Sequence, residues 1–281
     1  MDLRQAISDT IKYADYFHYP LSHQEIHYWL TTSRVILFDT IKPLFPPDLS
    51  KTQKKLRFSL SRTSEQKLTH AQELVPVLKF VPGLRMIALS GSVAAGNAHP
   101  TDDIDLFFIT SPYCLWLVRP LVVLLISLFF RRRHPGEDHS MTADAFCPNL
   151  WLDTLSISIP DNKRNLYTAH EVLQTIPLLD RGDTYRTFLF ENRWTKRYLA
   201  NAYTTLTHSV IARKRPACRQ AGATWQSIPL LLIFAPLNYL FFLIQLLYMN
   251  PKKTSEVVHL HAAFLHTTDF AGAISHHLKA S

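Results

Sequence analysis

Apolar side chains recur at helical spacing from the start of the chain. Ile7, Ile11, Ala14, Tyr16 and Phe17 predict a first helix. Tyr19-Pro20 ends it, because proline lacks an N–H and restricts the residue before it. Ser22 with Glu25 three residues on reads as a capping box, and the helix it opens carries Ile26, Trp29 and Leu30. Helix, proline turn and capped helix is how a helix-turn-helix or winged-helix unit begins. Pro43, Pro46 and Pro47 then signal a loop, so residues 1–50 are expected to form a small helical domain. Residues 51–84 are expected to connect it onward, with an amphipathic helix from Ser64 to Phe80.

The pattern then changes. Arg85 to Ser90 and Asp103 to Thr110 are short runs rich in β-formers and predict strands. Tyr113 to Phe130 predicts an apolar helix, closed by Arg131, Arg132 and Arg133 where the helix dipole favours cations. Ala143 to Leu152 offers a third strand. The expected class is α/β (α+β), a small mixed sheet with helices over residues 85–160. Residues 161–281 read as helical: Thr168 to Thr175, one long amphipathic helix from Tyr185 to Leu206, and a closing helix from Val257 to Leu278.

Ile228 to Tyr248 carries no charged residue and has the roughly 20-residue length of a bilayer span. Pro229, Pro236, Asn238 and Gln245 interrupt it, and basic residues flank both ends, so charge gives no orientation. The reading is a pair of core helices bent at Pro236, with membrane attachment through residues 228–248 as the alternative.

Composition narrows the class. Hydrophobic residues make up 47% and charged residues 19% of 281, which excludes a disordered tail. Lys+Arg outnumber Asp+Glu 30 to 22, a net charge of +8 that draws in polyanions such as nucleotides. Cys114, Cys147 and Cys218 show no paired spacing, which argues against a disulfide framework or zinc ribbon and for a reducing compartment. The first residues lack the apolar stretch of a secretory signal, so a cytoplasmic location is expected.

Glycine is scarce, at 7 residues, yet Gly83, Gly91 and Gly96 fall close together. Gly91-Ser92 leaves the first strand. A glycine there lets backbone approach a phosphate, and serine adds a hydroxyl and an N–H. After ten intervening residues come Asp103 and then Asp105. Acids at i and i+2 on a strand project from one face. Facing a core they would be costly without partners; facing a cleft they make a divalent-cation site.

This arrangement resembles the signature of the DNA-polymerase-beta-like nucleotidyltransferases: hydrophobic strand, Gly-Ser, a variable stretch, then Asp-hydrophobic-Asp-hydrophobic, here Asp103-Ile104-Asp105-Leu106. More of the chain is similar to uncharacterised bacterial nucleotidyltransferase-domain proteins with a helix-turn-helix-like N-terminus, through FHYPLSHQEI (17–26), LSGSVAAGNAHPTDDIDLFFIT (89–110), FCPN (146–149) and LYTAHEVLQTIPL (166–178). The resemblance implies Mg²⁺-dependent transfer of a nucleoside monophosphate from an NTP to an acceptor, with release of pyrophosphate. Asp103 and Asp105 would bind the metal, two ions in the two-metal scheme, and Gly91 and Ser92 would hold the terminal phosphates. A third carboxylate normally completes such a site. Asp144 is the candidate, with Asp153 as another; Asn149 lies in the FCPN box but cannot act as a base. Asp102 is expected to face away from Asp103. An inactive binding or regulatory module on the same fold is the alternative function.

The remaining signals are weaker. His23 and His27 share a helix face at metal-ligand spacing but have no second pair, and a solvated face is expected. Cys147 reads as a buried small hydrophobe. Arg4, Lys12, Arg34 and Lys42 are the basic residues of 1–50. That is thin for a specific DNA reader, so DNA is only an alternative partner. The acceptor class stays open among small molecules, proteins and nucleic-acid ends.

Overall fold

The structure is a computed structural model that describes residues 2–134, 136–138, 141–212, 228–249, 257–265 and 270–280. Asp2 caps α1 (Leu3–Tyr16), and the Ser22–Glu25 capping box opens α2 (His23–Tyr28) as its sequence indicates. After α3 (Phe38–Ile41) come α4 (Lys51–Gln72) and α5 (Leu74–Leu78). The helix expected over Ser64 to Phe80 thus starts earlier and ends in two pieces. A second capping box, Ser50 with Gln53, starts it at Lys51. Pro76 has no N–H for the carbonyl four residues back, so the helix resets near Glu73.

Among the described residues no β-wing follows α2. Instead Thr32 bridges to Leu199. The segment is fastened to the later half of the chain: the Asn201 side chain accepts from Ile36 N at 2.9 Å and donates to the His27 carbonyl at 2.8 Å.

The sheet has the order β4-β1-β2-β3-β6-β5. Strand β1 (Leu84–Leu89) runs into α6 (Gly91–Ala94). It pairs antiparallel with β2 (Ile104–Thr110), Leu89 opposite Leu106 and Ile87 opposite Phe108. Helix α7 (Leu115–Phe129) then crosses to β3 (Phe146–Asp153), which lies parallel to β2. Next follow α8 (Leu166–Gln174) and β4 (Ile176–Asp180), antiparallel to β1. Helices α9 (Thr184–Glu191), α10 (Ala200–Ala212) and α11 (Ile228–Met249) come next. The hairpin of β5 (Val257–His259) and β6 (Ala262–Phe264) extends the sheet beside β3, and α12 (Phe270–Ala280) follows.

The all-helical reading of residues 161–281 therefore fails in three places. Ile176-Pro177-Leu178-Leu179 is β4, an edge strand where a missing proline N–H is tolerated. Val257 to Phe264 is a hairpin, because short apolar runs do not separate helix from strand by period. The long helix from Tyr185 to Leu206 is broken between α9 and α10. The buried Asn192 side chain takes over backbone partners there, accepting from Ile159 N at 2.8 Å and donating to the carbonyls of Ile157 and Phe188.

Period-two alternation assigns the two faces of the sheet. Ile87, Leu89, Leu106 and Phe108 pack with Trp116, Val122 and Ile126 of α7. Met86, Ala88, Phe107 and Ile109 pack with Val172 and Leu173 of α8 and Phe188 of α9. Asp105 falls in the second set by parity, so its carboxyl points toward α8.

Helix α11 runs as one helix through Pro236 rather than as a pair. Its polar interruptions dock it on α7: Asn238 accepts from Trp116 N at 2.8 Å, and Gln245 donates to the Trp116 carbonyl at 2.7 Å while accepting from Arg119. Leu240, Leu243, Ile244 and Leu247 on its other side are exposed. Among the described residues no helix is long and apolar enough to cross a membrane.

Candidate functional site

The site gathers where β1 ends and β2 begins. Gly91 opens α6 at φ +64, a left-handed conformation that side chains other than glycine's resist. A Cβ at this position would run into the Asp105 carboxyl. Ser90 N donates to the Asp105 carbonyl at 3.1 Å, which fixes the turn against β2.

Asp103 and Asp105 converge as the i, i+2 spacing predicts. One ligand atom each from Asp103, Asp105 and Cys147 lies within 4.8 Å of the others. Asp103 is ion-paired with Arg133 at 2.7 Å, and both side chains are largely buried. The β2–β3 register shifts so that Leu106 faces Pro148 and Phe107 faces Leu150. Asn149 is the extra residue of that bulge, and its Nδ2 donates to Asp105 Oδ1. The Asn149 Oδ1 atom is buried with no hydrogen-bond partner among the described residues. Such an orphan is costly and calls for an explanation.

Burial, then the neighbouring Asp103 and Glu171 carboxyls, push the Asp105 carboxyl well above the usual carboxylate range. Glu171, on α8, is the residue that sequence reasoning missed. Burial raises its carboxyl from 4.5 to about 7, against the opposing hydrogen bond from Gly91 N–H. The available signal was a single acid inside the otherwise uncharged helix LYTAHEVLQ. Burial also raises the Cys147 thiol, reinforced by Asp105 and Asp103. Cys147 is half-buried beside the acids, not the inert core residue its apolar strand suggests.

The other candidate acids lie elsewhere. Asp144 sits in a left-handed turn at φ 58 and is ion-paired with Lys67 at 2.6 Å, so it does not complete the pair. Its side chain is 61% exposed, whereas Lys67 is 3% exposed and also donates to the carbonyls of Pro100 and Asp102. The turn ends before β3 begins, and that directs Asp144 away from Asp105. Asp153 is at the far end of β3, bound to His261 at 2.6 Å. Asp102 faces Ser92, whose hydroxyl donates to it at 2.8 Å. The Ser92 hydroxyl is therefore engaged within the loop. His23 and His27 use their ring nitrogens on the carbonyls of Pro46 and Ile36, a local structural role rather than a solvated face.

The oxygens of Asp103, Asp105 and Asn149 fit a hard divalent cation such as Mg²⁺, which takes oxygen ligands. The orphaned Asn149 Oδ1 is the observation that argues for one. The Cys147 thiol is not a Mg²⁺ ligand by type.

A cavity of about 260 Å³ opens beside Asp105, between α1, α6, α8 and the start of α12. Gly91, Asp105 and Glu171 reach its lining, and Tyr13, Phe17 and Tyr167 give it aromatic walls. Burial, then the Glu171 charge, raises the Tyr13 hydroxyl, and the same two causes raise that of Tyr167. Comparison of this chain with protein-family models, with curated proteins and with solved structures returns no match.

Proposed function

We propose that this protein is a nucleotidyltransferase that moves a nucleoside monophosphate from an NTP to an acceptor hydroxyl and releases pyrophosphate. The observation that carries this reading is the convergence of Asp103 and Asp105 under Gly91, with the unpartnered Asn149 Oδ1 beside them. The resemblance of residues 89–106 to the nucleotidyltransferase signature supports the same reaction.

Asp103, Asp105 and the Asn149 oxygen would hold Mg²⁺, one ion or two. Bound there, the metal would supply charge neutralisation for the triphosphate and acidify a nearby hydroxyl. Gly91 has no side chain in the way, but its N–H is held by the Glu171 carboxyl and the Ser92 hydroxyl by Asp102, so a phosphate at this turn would have to displace those acids. Arg133 brings a guanidinium to the edge of the acidic pair, suited to a phosphate oxygen by its fork of donors. Glu171, whose carboxyl titrates at about 7, would act as base. The acceptor oxygen bonds to the α-phosphorus, and its proton passes to the Glu171 carboxylate. The bond from that phosphorus to the bridging oxygen breaks, and the electron pair leaves with pyrophosphate.

The second reading is a nucleotide-binding regulator without turnover. It is favoured by Asn149, an amide where the signature places a carboxylate on β3. Glu171 answers it by supplying a third acid from α8.

The deciding experiment is calorimetric titration of each NTP, with and without Mg²⁺, into wild type, Asp103→Asn and Asp105→Asn. It is paired with release of labelled pyrophosphate in the presence of acceptor pools. Metal-dependent binding and turnover, both lost in the variants, support transfer. Binding without turnover supports the regulator. No binding of any NTP removes both readings.

A further inference from the structure

Helix α11 is polar on its inner side and apolar on its outer side. Asn238 and Gln245, at i and i+7, share one side of the helix and make the hydrogen bonds that dock it on α7. Leu240, Ile244 and Leu247 lie on the opposite side and are exposed, Leu247 at 77%. A helix on a water-facing surface has the reverse arrangement. Helix α7 also turns apolar residues outward. Val118, Val122 and Ile126 are buried, whereas Leu121, Leu124 and Leu128, at i, i+3 and i+7, are exposed, Leu128 at 66%.

The two helices pack on each other and on the same face of the sheet, so their outward sides form one surface. Of the twenty exposed large hydrophobic side chains among the described residues, four are on α7 and seven on α11. Scattered singly, such residues need no explanation; gathered on one face they mark a contact surface.

Charge says what the contact is with. Neither helix carries an Asp or Glu. Arg131 and Arg132 follow directly on Phe129 and Phe130 at the end of α7. Arg132 Nε donates to the Ser127 hydroxyl at 3.0 Å, which holds it beside Leu128; its other partners among the described residues are the Arg133 carbonyl and His134, so none is acidic. Arg119 lies between the helices, bonded to Gln245, and its Nε is buried with no partner among the described residues. Burial, then the nearby Arg132 charge, lowers the Arg119 guanidinium to about 10. Two cations thus stand close together on an acid-free layer. A second copy of this chain suits that surface poorly. A two-fold interface sets a patch against itself, and Arg131 and Arg132 would meet their own kind in a chain that already carries +8. An anionic lipid surface matches both the leucines and the arginines.

We propose that the outer surface of α7 and α11 rests on an anionic phospholipid bilayer, with its leucines in the boundary between headgroups and acyl chains and Arg132 on lipid phosphates. The chain lies on the membrane through these helices: among the described residues no helix is long and apolar enough to cross one, and an interfacial helix buries a single face. Tyr239 and Tyr248 are exposed on α11, and such amphipathic rings favour the headgroup level. Asp105 points to the opposite face of the sheet, toward Glu171 of α8, so docking leaves that side free. The inference does not rest on nucleotidyl transfer.

The test is flotation of the full chain with vesicles of phosphatidylcholine alone or of equimolar phosphatidylcholine and phosphatidylglycerol. Binding to the mixed vesicles, falling as salt rises, is expected to exceed binding to phosphatidylcholine alone. A basic chain is drawn to any anionic surface, so the deciding variants keep the charge. Leu240→Gln with Ile244→Gln should weaken binding more than about tenfold, the scale of one apolar side chain left unburied. Leu124→Gln with Leu128→Gln should do the same from α7, and it serves if the first pair does not fold. Phe190→Gln, at an exposed position of α9 on the other face of the sheet, should change nothing. Arg132→Gln should cost about fivefold on the mixed vesicles. Unchanged binding in both leucine pairs overturns the proposal, because the attraction is then net charge alone. Equal binding to the two vesicle types, or to neither, overturns it as well. A dimer that the leucine pairs dissolve, without lipid binding, gives the face to a second copy instead.

Discussion

Gly91 lies with its backbone against the carboxyl of Asp105, so the turn that leaves β1 and the acidic pair are built as one unit. Gly91→Ala meets two penalties. The left-handed φ costs an ordinary residue about 1–2 kcal/mol, and the new methyl must displace Asp105. Gly96→Ala is the control. Its φ is +70, but its Cβ would meet only the Tyr19 hydroxyl, at 3.3 Å. In urea unfolding both variants should lose stability, Gly91→Ala more. Mn²⁺ or Mg²⁺ binding should fail in Gly91→Ala alone. Equal losses in both measurements would show that Asp105 is not held by this glycine.

Asp105→Asn separates stability from function. Burial and the nearby Asp103 and Glu171 raise the Asp105 carboxyl, so its ionised form strains the metal-free fold. Sign follows from the direction: folded Asp105 binds its proton more tightly than the unfolded chain does. Its contribution is therefore present at low pH and lost as pH rises. The amide keeps the oxygen that accepts from Asn149 and carries no charge. With a chelator present, Asp105→Asn should be more stable than wild type at neutral pH and should no longer respond to added Mg²⁺. A less stable variant at neutral pH would mean that the carboxylate is compensated by groups other than those named.

Lys67 and Asp144 test a different assignment. Asp144 is exposed and pairs with a buried lysine whose other partners are the loop carbonyls of Pro100 and Asp102. Asp144→Asn should leave nucleotide turnover unchanged, since the carboxyl is outside the acidic cluster. Lys67→Met should lower stability by about 2 kcal/mol, the scale of lost charge-assisted hydrogen bonds, because two carbonyls lose their donor. A turnover defect in Asp144→Asn with normal stability would return that acid to the mechanism.

Much of the sheet is legible from local pattern, because β1, β2 and β3 are apolar strands with strong β-formers and clear turn signals. The i, i+2 spacing also carries Asp103 and Asp105 together. What is not legible depends on packing. Asn149 reaches Asp105 only through a register shift in the β2–β3 pair, and no local pattern announces a shift. Glu171 lies 66 residues along from Asp105 and meets it only because α8 covers that face of the sheet. The break between α9 and α10 depends on the Asn192 side chain finding Ile157 and Ile159, more than thirty residues away. Short strands such as β5 and β6 carry too few residues for their period to speak.

Glu171→Gln gives the sharpest pH test. The Glu171 carboxyl titrates at about 7 in the fold against 4.5 in an open chain, through burial. Around it stand Asp105 from β2, the Gly91 N–H from α6, Tyr13 from α1, and Tyr167 and His170 on its own helix. The folded state holds the proton more tightly, so the contribution to stability is full below 4.5 and falls as pH rises to about 7. The full loss is about 3 kcal/mol on the scale of pKa differences. His170 works in the opposite sense: its folded value is about 3 against 6.5, so stability falls as pH drops below 6.5. Subtracting the two melting curves, wild type and Glu171→Gln, cancels His170 and leaves Glu171 together with the part of the Asp105 shift that Glu171 causes. In a chelator the variant should gain on wild type steadily between about pH 4.5 and 7 and hold a constant lead above that. With Mg²⁺, NTP and acceptor, the wild-type rate should rise as Glu171 ionises, and the variant should lose that limb together with about 10²–10⁴ in kcat, the usual worth of a positioned base. A variant with the wild-type pH profile and rate would show that the proton leaves by another route, while the stability difference would still report the buried acid.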